Sequence, residues 1–282
     1  MIARLAPFLF VLLWSTGFLG AKFGLPHAEP LAFLLVRYLL VIALTTSLAL
    51  AWRAPWPKDG RHWRHIGISG LLVHALYLGG VFIAIGKGLP AGITALVVGL
   101  QPLLTATVAG RLLGETVLPR QWLGLGLGFV GVALVVANKI GSDFALDALW
   151  PALAALLGIT AGTLYQKRFS PHFDWRSGSV AQFLPTALVT GALVFATDSF
   201  RIDWTGEFLF ALGWLVLVLS IGAISLLNWL IRHGSAVNVA SLFYLTPPTT
   251  ALLAWLLFGE TLGGLALAGM ALAVWGVYLS RR

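Results

Sequence analysis

Apolar residues run along this chain in blocks of membrane length, and the polar residues between them gather into short breaks. A bilayer core takes about 20 helical residues per crossing. Blocks of that size predict an all-α membrane protein with ten transmembrane helices. In the first half they run Leu5 to Leu25, Pro30 to Trp52, Ile66 to Ile85, Gly92 to Leu112 and Pro119 to Asn138. In the second half they run Ala148 to Gln166, Ser179 to Thr197, Phe208 to Ile231, Asn238 to Phe258 and Leu262 to Ser280. The longest expected loop, Arg53 to His65, leaves no room for a soluble domain. The first block follows Arg4 as a signal peptide's apolar region would. It lacks a small-residue cleavage site and is needed as the partner of the sixth block, so it is read as a span.

The chain also repeats itself. Residues 91 to 132 laid on 236 to 277 without a gap agree at 15 of 42 positions, an offset of 145. Composition alone would give roughly a tenth, so this is an internal duplication. The shared residues include Pro102/Pro247, Thr105/Thr250, Gly114/Gly259, Glu115/Glu260, Gly124/Gly269 and Gly131/Gly276. Five spans per half is odd, so the second half enters the membrane from the opposite side. The expected architecture is two inverted five-helix repeats, 1–140 and 141–282, around a central cavity. Exchange of the two halves' conformations would then give alternating access.

Composition narrows the class further. Hydrophobic residues make up 59% and charged residues 10%, while the net charge is +8. The positive charge does not indicate nucleic acid, because it is sided. Thirteen of the 18 Lys and Arg fall at the termini and in even-numbered loops, four at odd-numbered loops and helix ends, with Arg37 inside a span. The positive-inside rule places both termini in the cytoplasm, as for a multi-pass protein of a bacterial inner membrane. There are no cysteines, which removes disulfides, thiolate metal sites and cysteine nucleophiles. No cofactor or metal is expected.

Trp14-Ser15, Arg37-Tyr38, the Tyr77 to Phe82 region, the stretch AGITALVVGLQPLLTATVAGRLLGE from Ala91 to Glu115, and its echo SLFYLTPPTTALLAWLLFGE from Ser241 to Glu260 carry a resemblance. The chain resembles the EamA-type members of the drug/metabolite transporter superfamily over essentially its whole length. That resemblance implies secondary transport through a central cavity, and within the superfamily it is nearest the bacterial exporters of aromatic amino acids. The repeated Pro-to-Glu block is specific for the superfamily but not for a substrate.

Proline within a spanning helix removes an N–H and displaces the carbonyl four residues back. Pro102 would free the Val98 carbonyl; Pro247 and Pro248 would free those of Phe243 and Tyr244. All three are candidate hinges. Helical spacing places Gln101 and Thr105 on one face beside the first kink, with Tyr244, Thr246, Thr249 and Thr250 around the second. His74 and Tyr77 share a face by the same count, as do Ser225, Asn228 and Arg232. Trp14 and Ser15 complete the expected substrate-binding lining. Each of these polar groups could instead hydrogen-bond a neighbouring helix.

Arg37 is the deepest basic residue, and a buried arginine either meets solute or holds carbonyls as a structural tie. Glu115 and Glu260, each at a helix end, are expected to cap or tie a tight helical turn. Lys22/Lys167 and Lys87/Arg232, also matched at the offset, read as interfacial anchors or as gates meeting helix ends. No acid lies mid-span, so His74 is the one deep group suited to proton coupling. The run Gly126 to Gly131 matches G-x-G-x-x-G but sits inside an apolar span with no preceding strand. It reads as part of a small-residue packing stripe, not a dinucleotide site.

Few fixed charges, several aromatics and freed carbonyls suit a small neutral or zwitterionic metabolite, such as an amino acid, whose ring would stack on Trp14, Tyr77 or Tyr244. A sugar phosphate would require more deep basic residues. The rival within the superfamily is a multidrug or cationic-drug exporter; a channel is a further alternative. An intramembrane enzyme lacks support, since there is no H-E-x-x-H, G-x-S-x-G or paired acid.

Overall fold

The computed structural model describes residues 2–89, 91–137, 146–197, 200–258 and 262–281. Its described elements are helices: α1 (Ile2–Gly24), α2 (Pro30–Ala51), α3 (Gly60–Gly86), α4 (Ala91–Val98 and Gln101–Leu113), α5 (Pro119–Ala137), α6 (Leu149–Phe169), α7 (Trp175–Thr197), α8 (Gly206–His233), α9 (residues 236–258) and α10 (Gly264–Ser280). Seven of them, α2 to α8, are each long and apolar enough to cross a bilayer unaided. Shorter apolar stretches, Leu5–Gly17 and Gly264–Ser280, lie in α1 and α10. Large side chains such as Phe8, Leu188, Phe195 and Leu256 face outward on the bundle, as a lipid-facing surface requires.

Two helices begin earlier than their apolar blocks, and the cause is capping. Asp59 accepts from the His62 N–H at 2.8 Å and starts α3 at Gly60 rather than Ile66. Asp174 accepts from the Arg176 N–H at 2.9 Å and starts α7 at Trp175 rather than Ser179. Both first turns are polar, so hydropathy alone does not find them. The first correction also shortens the predicted Arg53–His65 loop.

The duplication is visible in the packing. A Cβ built on Gly158 of α6 would lie 2.8 Å from the Tyr77 backbone of α3, and one on Gly222 of α8 would meet Leu13 of α1 at 3.2 Å. Adding 145 to Leu13 and to Tyr77 gives Gly158 and Gly222, so the two contacts are images of each other. α5 and α10 form the other self-matching seam. A Cβ on Gly131 would sit 2.4 Å from Ala273 N, and one on Gly276 2.4 Å from Gly128 N. The small-residue stripe is therefore the place where two backbones touch.

These contacts also fix direction. On α3 and α6, Val73 meets Gly162 and Gly80 meets Ala155, so residue numbers rise along one helix as they fall along the other. The same holds for α1 against α8, where Leu13 meets Gly222 and Gly17 meets Leu219. Helices α1 and α3 are parallel because α2 returns between them, so α6 and α8 run opposite to both. The halves are inverted.

Two departures from α-geometry also fall at matching places. Leu71–Leu78 in α3 and Leu215–Ala223 in α8 are π-helical. α4 is interrupted at residues 99–100, and α9 passes through a 3-10 turn, Leu242–Leu245, before Thr246. Each interruption sits just ahead of its proline.

Candidate functional site

The side chains singled out in the sequence gather inside the bundle, in two groups. The first lies between α1, α2, α3 and α8. Trp14 stacks on Tyr77 with ring centroids 6.3 Å apart and planes 11° from parallel. Phe243 of α9 closes edge-on against Trp14 at 5.2 Å. Arg37 completes this wall, and its Nε donates to Ser220 Oγ at 3.0 Å. Trp14, Arg37 and Tyr77 line a cavity of about 40 Å³. A water occupies about 30 Å³ of liquid volume, so this space holds water but no metabolite unless helices part.

Arg37 is buried, and none of the ion pairs among the described residues includes it. Its observed tie runs to a hydroxyl on the opposite repeat, not to backbone carbonyls as the structural alternative had it. The residue at the matching position, Gln182 of α7, makes the analogous move and donates to Ser69 Oγ of α3 at 3.3 Å. Both repeats thus send a polar side chain from the second helix onto a serine of the other half's third.

The second group surrounds the two helix interruptions. Gln101, Thr105, Tyr244 and Thr246 are all buried, and their side-chain Gln101 Oε1 and Nε2, Thr105 Oγ1, Tyr244 OH and Thr246 Oγ1 lack hydrogen-bond partners. Buried polar groups are satisfied in the great majority of cases, and an unpaired one costs about 1–3 kcal/mol. Together they leave hydrogen-bonding capacity unused around the two interruptions in this conformation. The Tyr244 ring itself lies over Gly128, where a Cβ would meet Cδ2 at 2.5 Å.

Three expectations need correction. Ser15 is no free lining group: its Oγ donates to Val11 O at 2.6 Å and Thr246 O at 3.3 Å, and Thr250 Oγ1 donates back to Ser15 O. It ties α1 to α9. His74 and Tyr77 do not share a face, because the π-helical segment carrying them advances less angle per residue than an α-helix. Tyr77 turns to Trp14, whereas His74 stacks on Phe183 of α7 at 4.1 Å. Both His74 ring nitrogens lack partners. Finally, the Phe243 carbonyl is not freed by Pro247, since Thr246 N–H reaches it through the 3-10 turn.

Asn228 belongs to neither group. With Ser225 and Arg232, as their spacing predicts, it lines a larger cavity of about 510 Å³ between α8 and residues 171–175. Inward from it runs a chain of amides absent from the expected lining: Gln166 Nε2 donates to Asn228 Oδ1 at 2.9 Å, and Gln182 Nε2 to Gln166 Oε1 at 3.3 Å.

The helix ends carry the charges. Glu115 accepts from the N–H groups of Ala236 at 2.8 Å and Val237 at 3.5 Å, so it caps α9 of the other half instead of its own turn. Its match, Glu260, lies outside the described residues. Lys167 donates to the carbonyls of Ile231 (3.2 Å) and Gly234 at the C-terminus of α8, the sign a helix dipole favours. Lys87 pairs with Asp147 at 2.6 Å and holds that carboxyl below its usual range.

An inverted-repeat membrane fold enclosing unpaired polar groups and a solitary arginine is the form of a transporter. The EamA-like transporter family pattern matches residues 1–137 and 148–282, and the chain belongs to that family. An uncharacterized transporter of Bacillus subtilis, YvbV, is 30% identical, covering 95% of this chain and 88% of its own. A probable amino-acid metabolite efflux pump of Salmonella typhimurium is 27% identical over 96% of this chain and 92% of its own. The Escherichia coli inner membrane transporter YedA is 26% identical over 97% and 89%. A crystal structure at 22% identity superposes with a TM-score of 0.78, covering 98% of this chain and 95% of that one, which supports the fold.

Proposed function

We propose that the protein exports small neutral or zwitterionic metabolites, amino acids including aromatic ones among them, by alternating access between repeats 1–140 and 141–282. The observation that carries this reading is Arg37, a buried cation with no acidic partner among the described residues, set beside the Trp14–Tyr77 stack. A carboxylate would neutralise the arginine while an apolar or aromatic side chain lies on the rings. Gln101, Thr105, Tyr244 and Thr246 supply hydrogen-bonding groups for the rest of the solute. The pump named in Salmonella typhimurium supports the amino-acid class. Basic residues crowd the face that carries both termini, so the reading puts that face in the cytoplasm of a bacterial inner membrane.

His74 is the proposed proton carrier, enclosed and unpaired near Arg37's helix. The purified chain in liposomes should show saturable counterflow of one or more amino acids from a radiolabelled panel. Accumulation should respond to an imposed pH gradient, and His74→Ala should abolish that response. An unchanged pH profile in the variant contradicts proton coupling at this site, and flux that never saturates contradicts a carrier.

Pro102, Pro247 and Pro248 act in this reading as hinges, each repeat having its interruption immediately before a proline. Pro102→Ala and Pro247→Ala should each lower the maximal rate about tenfold, with membrane levels of the protein unchanged. Wild-type rates in both would rule the hinges out.

A further inference from the structure

The 510 Å³ cavity between α8 and residues 171–175 is separate from the Arg37 pocket and has the size of a small-molecule site. Its chemistry is specific. Ser225 Oγ and Asn228 Nδ2 are buried atoms without hydrogen-bond partners, on one face of α8 a turn apart. Asn228 Oδ1 is already taken by Gln166, so the group the residue has left is the donor Nδ2, which is closed off from solvent in this conformation and is reached only when the wall parts. Arg232 follows one turn later, and none of the ion pairs among the described residues includes it. The one acid on the wall, Asp174, is neutralised. Arg176 Nε and Nη2 hold its two oxygens at 3.0 and 2.8 Å, and its carboxyl stays below the ordinary range. The free charge of the cavity is therefore positive, and Trp229 provides an indole wall, itself backed by His233 at 4.3 Å.

We propose that this cavity is a loading site where the solute's carboxylate first binds: Arg232 holds the anion, Ser225 and Asn228 donate hydrogen bonds, and Trp229 takes the apolar side chain. This rests on the reading that amino acids are exported, and it adds a second carboxylate site ahead of Arg37. The amide chain Asn228–Gln166–Gln182 leads inward from the cavity to Gln182, the match of Arg37, which donates on to Ser69 of α3.

The chain has no cysteine, so Ser225→Cys provides a unique reporter. Its reaction with an anionic sulfonate thiosulfonate and with a cationic trimethylammonium thiosulfonate would be measured in nanodiscs, each rate taken relative to a free thiol. The anionic reagent should be favoured about tenfold. L-phenylalanine should slow labelling at least fivefold, and 2-phenylethylamine, which lacks the carboxylate, should not. Adding Arg232→Gln, an exposed position where folding is not at stake, should remove both effects. Arg168→Gln, an exposed charge one helix away, should change neither. A cysteine that stays unlabelled, a charge preference that survives Arg232→Gln, or equal protection by the amine would overturn the site. A charge preference lost with Arg232→Gln but no protection by L-phenylalanine would keep the anion site and contradict the amino-acid reading instead.

Discussion

Arg37→Gln should raise the KM for a transported amino acid about thirtyfold while leaving the protein folded. A hydrogen bond to a charged group contributes about 1.5–3 kcal/mol, and 2 kcal/mol is roughly a factor of 30 in binding. Glutamine is the informative replacement because Gln182 already occupies the matching place in the second repeat and reaches a serine across the interface. The same register therefore accepts an amide without loss of the cross-repeat tie. Transport of a decarboxylated analogue should be less affected, since the arginine would have nothing to neutralise. The comparison is made by initial rates in liposomes for the two solutes in both proteins. Equal losses for both would show that Arg37 serves the scaffold.

The largest effect on stability should come from the α5–α10 seam. A methyl group at Gly131 would fall 2.4 Å from Ala273 N and 2.7 Å from Gly269 O, and one at Gly276 2.4 Å from Gly128 N. These neighbours are backbone atoms, so relief requires the helices to separate along their contact. Overpacking of this kind costs about 1–3 kcal/mol per site, and the detergent-solubilised melting midpoint should fall on the order of 5 °C. Gly126 is the control. It lies in the same helix with nothing within 4 Å of its Cβ position, so Gly126→Ala should melt as wild type. If all three variants melt alike, the stripe is not where the halves are held.

Much of this organisation was legible in residue order. The ten helices follow from block length, and the inversion follows from an odd number of spans per repeat. The Leu13–Gly222 and Tyr77–Gly158 contacts bear out that inversion. Gln101 and Tyr244 were expected inside, and both are buried. What stayed hidden has physical causes. A π-helical segment within an all-apolar run leaves the hydropathy pattern intact, so the divergence of His74 from Tyr77 could not be read from spacing. Glu115 looked like a local cap because sequence separation conceals the α9 end it meets 121 residues away. Gln166 and Gln182 carry no charge and belong to no motif that sets them apart in the sequence. Their role depends on Asn228 being adjacent in space, which no periodicity encodes. Residues 171–175 read as a connector and turn out to wall a cavity.

Alternating access in this protein requires opposed motion of its two inverted halves. Spin-label pairs on the cysteine-free chain measure that motion directly, one pair on each face: Arg61→Cys with Arg168→Cys, and Lys87→Cys with Trp204→Cys, all exposed positions joining the first repeat to the second. On adding transported solute, one distance should shorten by several ångströms as the other lengthens. Distances that change together, or that stay fixed while solute crosses, would contradict it.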